Sequence, residues 1–166
     1  MCAVAQLVRR CSWGPAAVGD LRARPATSAT VMIGRMPHEG QELVGHDGFR
    51  LKLLRITPEV LEMEASYSGQ GGLPREHYHP AQDEHFEVVE GAVRAVIHGK
   101  EHRYVAGETF DIPARTPHQM AGAGAAVLRW EVRPALRTAE FFERAYSDDP
   151  GEGFLDTFAN EFRLTT

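Results

Sequence analysis

From residue 32 to residue 133 apolar and polar side chains alternate with a period of two, and glycines interrupt the pattern. Phe49, Leu51 and Leu53 alternate with Arg50 and Lys52, and Leu61, Met63, Ala65 and Tyr67 with Glu62, Glu64 and Ser66. Farther on, Phe86 and Val88 flank Glu87, and Val93, Ala95 and Ile97 alternate with Arg94 and His98. Strands place successive side chains on opposite faces, so each run predicts a strand with one buried face. Turns are expected after Gly91, at His98-Gly99 and at Ala106-Gly107, because glycine supplies the backbone freedom a tight reversal needs. Short strands at this spacing predict a β-sandwich or barrel.

After Pro134 the period changes. Segments 139–146 and 154–164 carry apolar residues at helical spacing, Phe141 and Ala145 in the first and Phe154, Leu155, Phe158 and Phe162 in the second. A linker, 147–151, joins them. Helices this short need a surface to dock on. They are expected to cover the outside or one end of the barrel, with a homodimer contact as the sharper alternative. The expected organisation is a leader over 1–31, a barrel over 32–133 and a helical extension over 134–166.

Composition narrows this further. A chain of 166 residues with 43% hydrophobic and 25% charged residues has room for one core and the make-up of a soluble globular protein. No apolar run approaches the roughly 20 residues that span a bilayer. A net charge of −5 offers no attraction to phosphate backbones or anionic lipid, so neither nucleic acid nor membrane is an expected partner. The first 31 residues hold four Arg against one Asp, together with Cys2 and Cys11, and lack the apolar stretch of a secretory signal. They read as a tail outside the fold or as an upstream extension of a chain whose start is Met32 or Met36, ahead of a transit peptide. A cytoplasmic location is expected. With no cysteine after residue 11, a disulfide framework or thiolate metal site is excluded from the barrel.

The chemistry concentrates in residues 71–91, GGLPREHYHPAQDEHFEVVEG. His77 and His79 are two apart, and on a strand both imidazoles project from one face as a metal clamp. Glu84 lies five residues past His79, so strict alternation would place it on the opposite face. An irregularity across Pro80 to Asp83 is expected to reset the parity and turn Glu84, Phe86 and Val88 inward. Asp83 is the alternative ligand if it does not. A fourth ligand, His118, follows the expected strand 109–112 and a turn containing Pro113 and Pro117. Three imidazoles and a carboxylate suit a divalent first-row transition metal, with two coordination positions left open. Each residue taken singly has an ordinary reading as a solvated or hydrogen-bonded side chain. The remaining histidines, His38, His46, His85, His98 and His102, lack the spacing and are expected at the surface or in turns.

These two stretches resemble the paired motifs of the cupin superfamily. The first motif, G-x5-H-x-H-x4-E-x6-G, is matched in full by Gly71, His77, His79, Glu84 and Gly91. The second, G-x5-P-x-G-x2-H-x3-N, is matched by Gly107, Pro113 and His118, while Arg115 stands where the family has glycine and Gly122 where it has asparagine. The resemblance, over about residues 40–133, implies an all-β, jelly-roll (double-stranded β-helix) barrel of the small single-domain type, here with two short C-terminal helices. It also implies a metal inside the barrel, whether Fe, Mn, Ni, Cu or Zn, held by His77, His79, Glu84 and His118. Met63, Tyr67, Phe86, Phe110 and Met120 are expected to line an apolar substrate pocket around it. Barrels of this kind host many chemistries. A dioxygenase-type oxidoreductase acting on a small molecule is the first expectation. A metal-dependent isomerase or epimerase, or a non-catalytic binder of a metal or small ligand, is the alternative.

Overall fold

The computed structural model describes residues 36–45 and 47–165; the leader over 1–31, with Cys2 and Cys11, and His46 lie outside the described residues. Among the described residues nine strands and two helices follow one another: β1 (Glu42–Val44), β2 (Arg50–Ile56), β3 (Leu61–Ser68), β4 (His77–Tyr78), β5 (Asp83–Ile97), β6 (Lys100–Val105), β7 (Thr109–Ile112), β8 (His118–Arg133), α1 (Thr138–Ala145), α2 (Phe154–Thr157) and β9 (Arg163–Leu164). Every strand pairing is antiparallel. The sheet runs β1-β2-β3-β8-β4-β9, with β5 joining β8 to β6 and β7, and forms the expected all-β jelly-roll barrel. No helix among the described residues is long and apolar enough to cross a membrane.

β5 and β8 are the long strands, and their pairing from Asp83↔Arg133 to Ile97↔His118 is the spine of the barrel. The inward residues of β5 are Glu84, Phe86 and Val88 and then Val93 and Ala95, so the buried parity switches from even to odd positions along one strand. Register shifts at Val88/Glu90 and Gly91/Val93 make the switch. Gly91 is therefore a bulge inside a continuous 15-residue strand and not the expected turn between two strands. The apolar pattern was the same in either case; only the pairing with β8 decides that the chain runs on.

The C-terminal extension also departs from expectation. α1 matches the first helical segment, but α2 is only four residues long, and the chain then turns into β9, which pairs with β4 through His77↔Leu164 and Tyr78↔Arg163. Phe141, Phe142, Phe154, Phe158 and Phe162 are all buried and pack on one another within the chain. The aromatic faces that could have met a second copy are thus covered by the protein itself.

Candidate metal centre

Strand geometry supplies the first part of the site. β4 carries His77, β8 opens on His118, and the two are direct cross-strand partners with ring centroids 4.4 Å apart. His79 follows β4 with its ring 5.4 Å from each of the others. A turn at Pro80-Ala81 then separates β4 from β5 and resets the alternation, so Glu84 is buried while Asp83 is exposed. Asp83 instead accepts the Ala114 N–H at 2.8 Å, which holds the loop before β8.

That loop is also held by Arg115. Its backbone is left-handed, with φ of 64°, where the resembling motif has glycine, so arginine carries a conformational cost of about 1 kcal/mol. The turn is retained, because the Arg115 N–H donates to the His79 carbonyl at 2.8 Å and its Nε to the Pro80 carbonyl at 3.3 Å. At Gly122, where the motif has asparagine, a Cβ would lie 2.7 Å from that of Tyr67 and 2.5 Å from the Gly124 carbonyl oxygen. Tyr67 occupies the space a side chain would need.

Each of the three imidazoles has its Nδ1 against a backbone carbonyl: Arg75 for His77 at 2.9 Å, Glu161 for His79, and Thr116 for His118 at 2.9 Å. A carbonyl only accepts, so in each neutral ring Nδ1 carries the hydrogen and Nε2 presents a lone pair. The ligating nitrogens lie within 4.8 Å of one another. That is close to the roughly 3–4 Å that bonds of about 2.1 Å to one shared ion would require. Glu84 joins them, with Oε1 3.2 Å from His79 Nε2 and Oε2 3.1 Å from His118 Nε2. These contacts have ion-pair distance without hydrogen-bond alignment, and His79 Nε2 and Glu84 Oε2 are left buried with no hydrogen-bond partner. Lone pairs facing a carboxylate repel unless a cation or proton lies between them, which is what a metal-ligand set requires. The residues therefore fit a divalent transition ion.

Electrostatics agree. Burial, reinforced by the His118 and His79 rings, lowers His77 to about 3, and burial also lowers His79. For Glu84 burial acts upward, but the facing His79 and His118 rings outweigh it and hold the carboxyl at about 2. Burial pushes His118 down, yet Glu84 outweighs this and raises it. Without metal, a proton on His118 thus pairs with the Glu84 carboxylate, and an entering cation would displace it. A pH dependence follows. Because the folded values of His77 and His79 lie below the unfolded value near 6.5, their stability contribution is complete above that pH and is lost as the pH falls below it. The contribution of His118 has the opposite sign: it is present below 6.5 and lost as the pH rises through its raised folded value. Melting curves of metal-free protein should show Tm falling from pH 6.5 towards 5, and His77→Gln should make that fall shallower; an unchanged slope would count against a neutral, desolvated His77.

Beside the cluster lies a recess lined by Phe49, Tyr67, Pro74, His77, Glu84, Phe86, His118, Met120, Trp130, Phe142 and Tyr146. Three of the expected pocket residues, Tyr67, Phe86 and Met120, line it. Met63 and Phe110 do not: they share a cross-strand rung with Trp130 and Phe86, but Met63 is sealed in the core and Phe110 stacks between Phe86 and Tyr104. Sequence reasoning missed the role of Trp130. Its indole Nε1–H donates to Glu84 Oε1 at 3.1 Å and orients the carboxylate. It also missed Phe142 and Tyr146, the Glu161 carbonyl, and Phe162, whose ring stacks on His77 at 4.7 Å. All four belong to the extension, and no local spacing rule relates them to residues some 60 to 80 positions earlier. The other described histidines lie away from the cluster: His38, His98 and His102 are exposed and His85 pairs with Asp111 at 2.7 Å.

Comparison with known proteins bears on the barrel. No curated protein matches the sequence. The fold is similar to that of KdgF from Halomonas sp. (20% identity, TM-score 0.54, covering 59% of this chain and 91% of the other). It is equally similar to an RmlC-like cupin from Shewanella frigidimarina (19% identity, TM-score 0.54, covering 60% and 87%). A third likeness is to Streptomyces PAC13 with uridine (15% identity, TM-score 0.54, covering 81% and 91%). At such identities the likeness speaks for the fold alone. The family described as Cupin domain matches residues 65–132, the stretch that holds His77, His79, Glu84 and His118. The match and the barrel together support a cupin domain over this stretch of the chain.

Proposed function

We propose that His77, His79, Glu84 and His118 hold one divalent transition metal and that the protein is an enzyme acting on a small molecule inside the barrel, with dioxygenase-type oxidoreductase chemistry. The observation that carries this reading is the set of Nε2 lone pairs, each aimed by an Nδ1–carbonyl hydrogen bond, around a buried carboxylate that lacks a hydrogen-bond partner on one oxygen. A bound ion would supply Lewis acidity and open positions for a substrate oxygen and dioxygen. The protein's own residues do the rest. Backbone carbonyls fix the imidazole tautomers, Trp130 fixes the carboxylate, and the aromatic recess lines the approach to His77, Glu84 and His118 with apolar rings. That the recess touches three of the four candidate ligands favours catalysis over storage, since a purely structural ion is enclosed.

The test is turnover by reconstituted metal forms, because affinity order favours copper and zinc over iron and manganese and the metal found after overexpression need not be the working one. Fe, Mn, Ni, Cu and Zn forms are compared on catechols, flavonoids, keto acids, thiols and sugars with an oxygen electrode. The expected result is dioxygen uptake by a redox-capable form and none by the zinc form. Turnover of the zinc form without air would replace the reading with an isomerase or epimerase. Retention of metal with no turnover by any form would replace it with a binding module.

A further inference from the structure

The recess is bounded by a continuous run of ring contacts. Tyr67 meets Phe49 edge-on at 5.0 Å, Phe49 stacks on Tyr146 at 5.9 Å, and Tyr146 approaches Phe142 at 6.3 Å. Phe142 meets Trp130 edge-on at 5.2 Å, and Trp130 stacks on Phe86 at 5.4 Å. These six aromatics all line the recess and form a collar beside His77, Glu84 and His118. Four come from the barrel strands and the segment leading into β2. The other two, Phe142 and Tyr146, come from α1 and the residue that ends it, so the helical extension supplies one wall of the barrel's interior.

Two properties of this collar restrict what can enter. No lysine or arginine is among its lining residues, and the Glu84 carboxylate at its floor is already faced at 3.1 Å by His118, the one imidazole there that Glu84 favours in its protonated form. A phosphate or a second carboxylate would lose its hydration there without a cation to replace it, at a cost that aromatic walls cannot offset. The space is also small, a cavity of about 50 Å³ within about 460 Å³ of empty space that includes open solvent at the mouth. A cavity of about 150 Å³ takes one benzene, so the recess admits no more than a single ring, most of which must lie in the mouth. Flat rings, moreover, gain edge-to-face and offset-stacked contacts that a saturated ring of equal size does not.

We propose that the collar binds an uncharged, single-ring aromatic molecule, with its polar substituent directed at the His77, His79, Glu84 and His118 cluster, and that Phe142 and Tyr146 of the extension determine this specificity. The proposal deepens the metal-centre reading and rests on it for the substituent's role, but ring binding is measured separately. Full-length protein, as purified and after metal removal, is titrated by ligand-observed NMR with phenol, cyclohexanol and phenyl phosphate. Phenol should bind in both forms, cyclohexanol at least about threefold more weakly, and phenyl phosphate at least tenfold more weakly to the metal-free form. Phe142→Leu keeps an apolar side chain of similar length without the ring; it should weaken phenol about threefold or more while metal content stays as in the parent. Tyr146→Leu should act the same way and serves if Phe142→Leu does not fold. Equal binding of phenol and cyclohexanol would overturn the proposal. So would phenyl phosphate matching phenol in the metal-free form, absence of phenol binding, or wild-type phenol affinity in the folded variants. Failure of the metal reading would show instead as protein that binds phenol yet retains no metal.

Discussion

Replacing His79 with alanine is expected to lower metal affinity by at least about 100-fold, leaving dialysed protein essentially metal-free, whereas His85→Ala should leave metal content unchanged. Loss of a second-sphere partner alone typically costs 10- to 100-fold in affinity, and His79 stands in the ligand set itself. It is also 6% exposed, with its Nε2 unpartnered and its Nδ1 bound to the Glu161 carbonyl, so no neighbouring side chain is placed to substitute for it. His85 is six residues away in the same motif, but its side chain is 42% exposed and paired with Asp111. Elemental analysis after dialysis, with competitive titration of the stripped proteins, separates the two. If His79→Ala keeps its metal, or if His85→Ala loses as much, the proposed ligand set is wrong.

Gly91→Ala should be among the most damaging single substitutions in the barrel, costing about 3 kcal/mol or more and lowering Tm by roughly 10 °C. Gly91 has a φ of 72°, which alone disfavours a side chain, and an added Cβ would lie 2.2 Å from the Ala125 carbonyl oxygen and 3.1 Å from the Ala126 Cα. Both obstacles are backbone atoms of β8, so relief requires β5 and β8 to separate at the register shift that turns Val93 and Ala95 inward. Gly107→Ala is the natural comparison: its φ is 88°, yet nothing lies within 4 Å of its added Cβ, so only the conformational strain remains. Equal loss of Tm in the two variants, measured by thermal denaturation, would show that close packing at Gly91 contributes nothing beyond its backbone angle.

The sequence by itself determined those features that depend on neighbours along the chain. Period-two alternation identifies β2, β3 and both ends of β5, because a side chain's face on a strand depends only on its parity. His77 and His79 could be paired for the same reason, and the frame of glycines and prolines around them and His118 carried the resemblance to the cupin motifs. Even the need for an irregularity before Glu84 was legible, since five residues after His79 is the wrong parity.

Tertiary structure decided what distant segments do to one another. Whether Gly91 turned the chain or bulged it depended on the pairing of β5 with β8, and whether residues 158–164 continued a helix depended on the free edge of β4 that β9 occupies. The same holds at the site. Trp130 is 46 residues from the carboxylate it holds, and the Glu161 carbonyl is 82 residues from the imidazole it orients. Phe142 and Tyr146 have helical spacing that says only that they need an apolar surface, and such burial is non-directional, so any apolar surface would have satisfied it. That the surface is the rim of the recess, which makes the extension part of the site, follows from where β8 delivers the chain and from no property of the extension's own sequence.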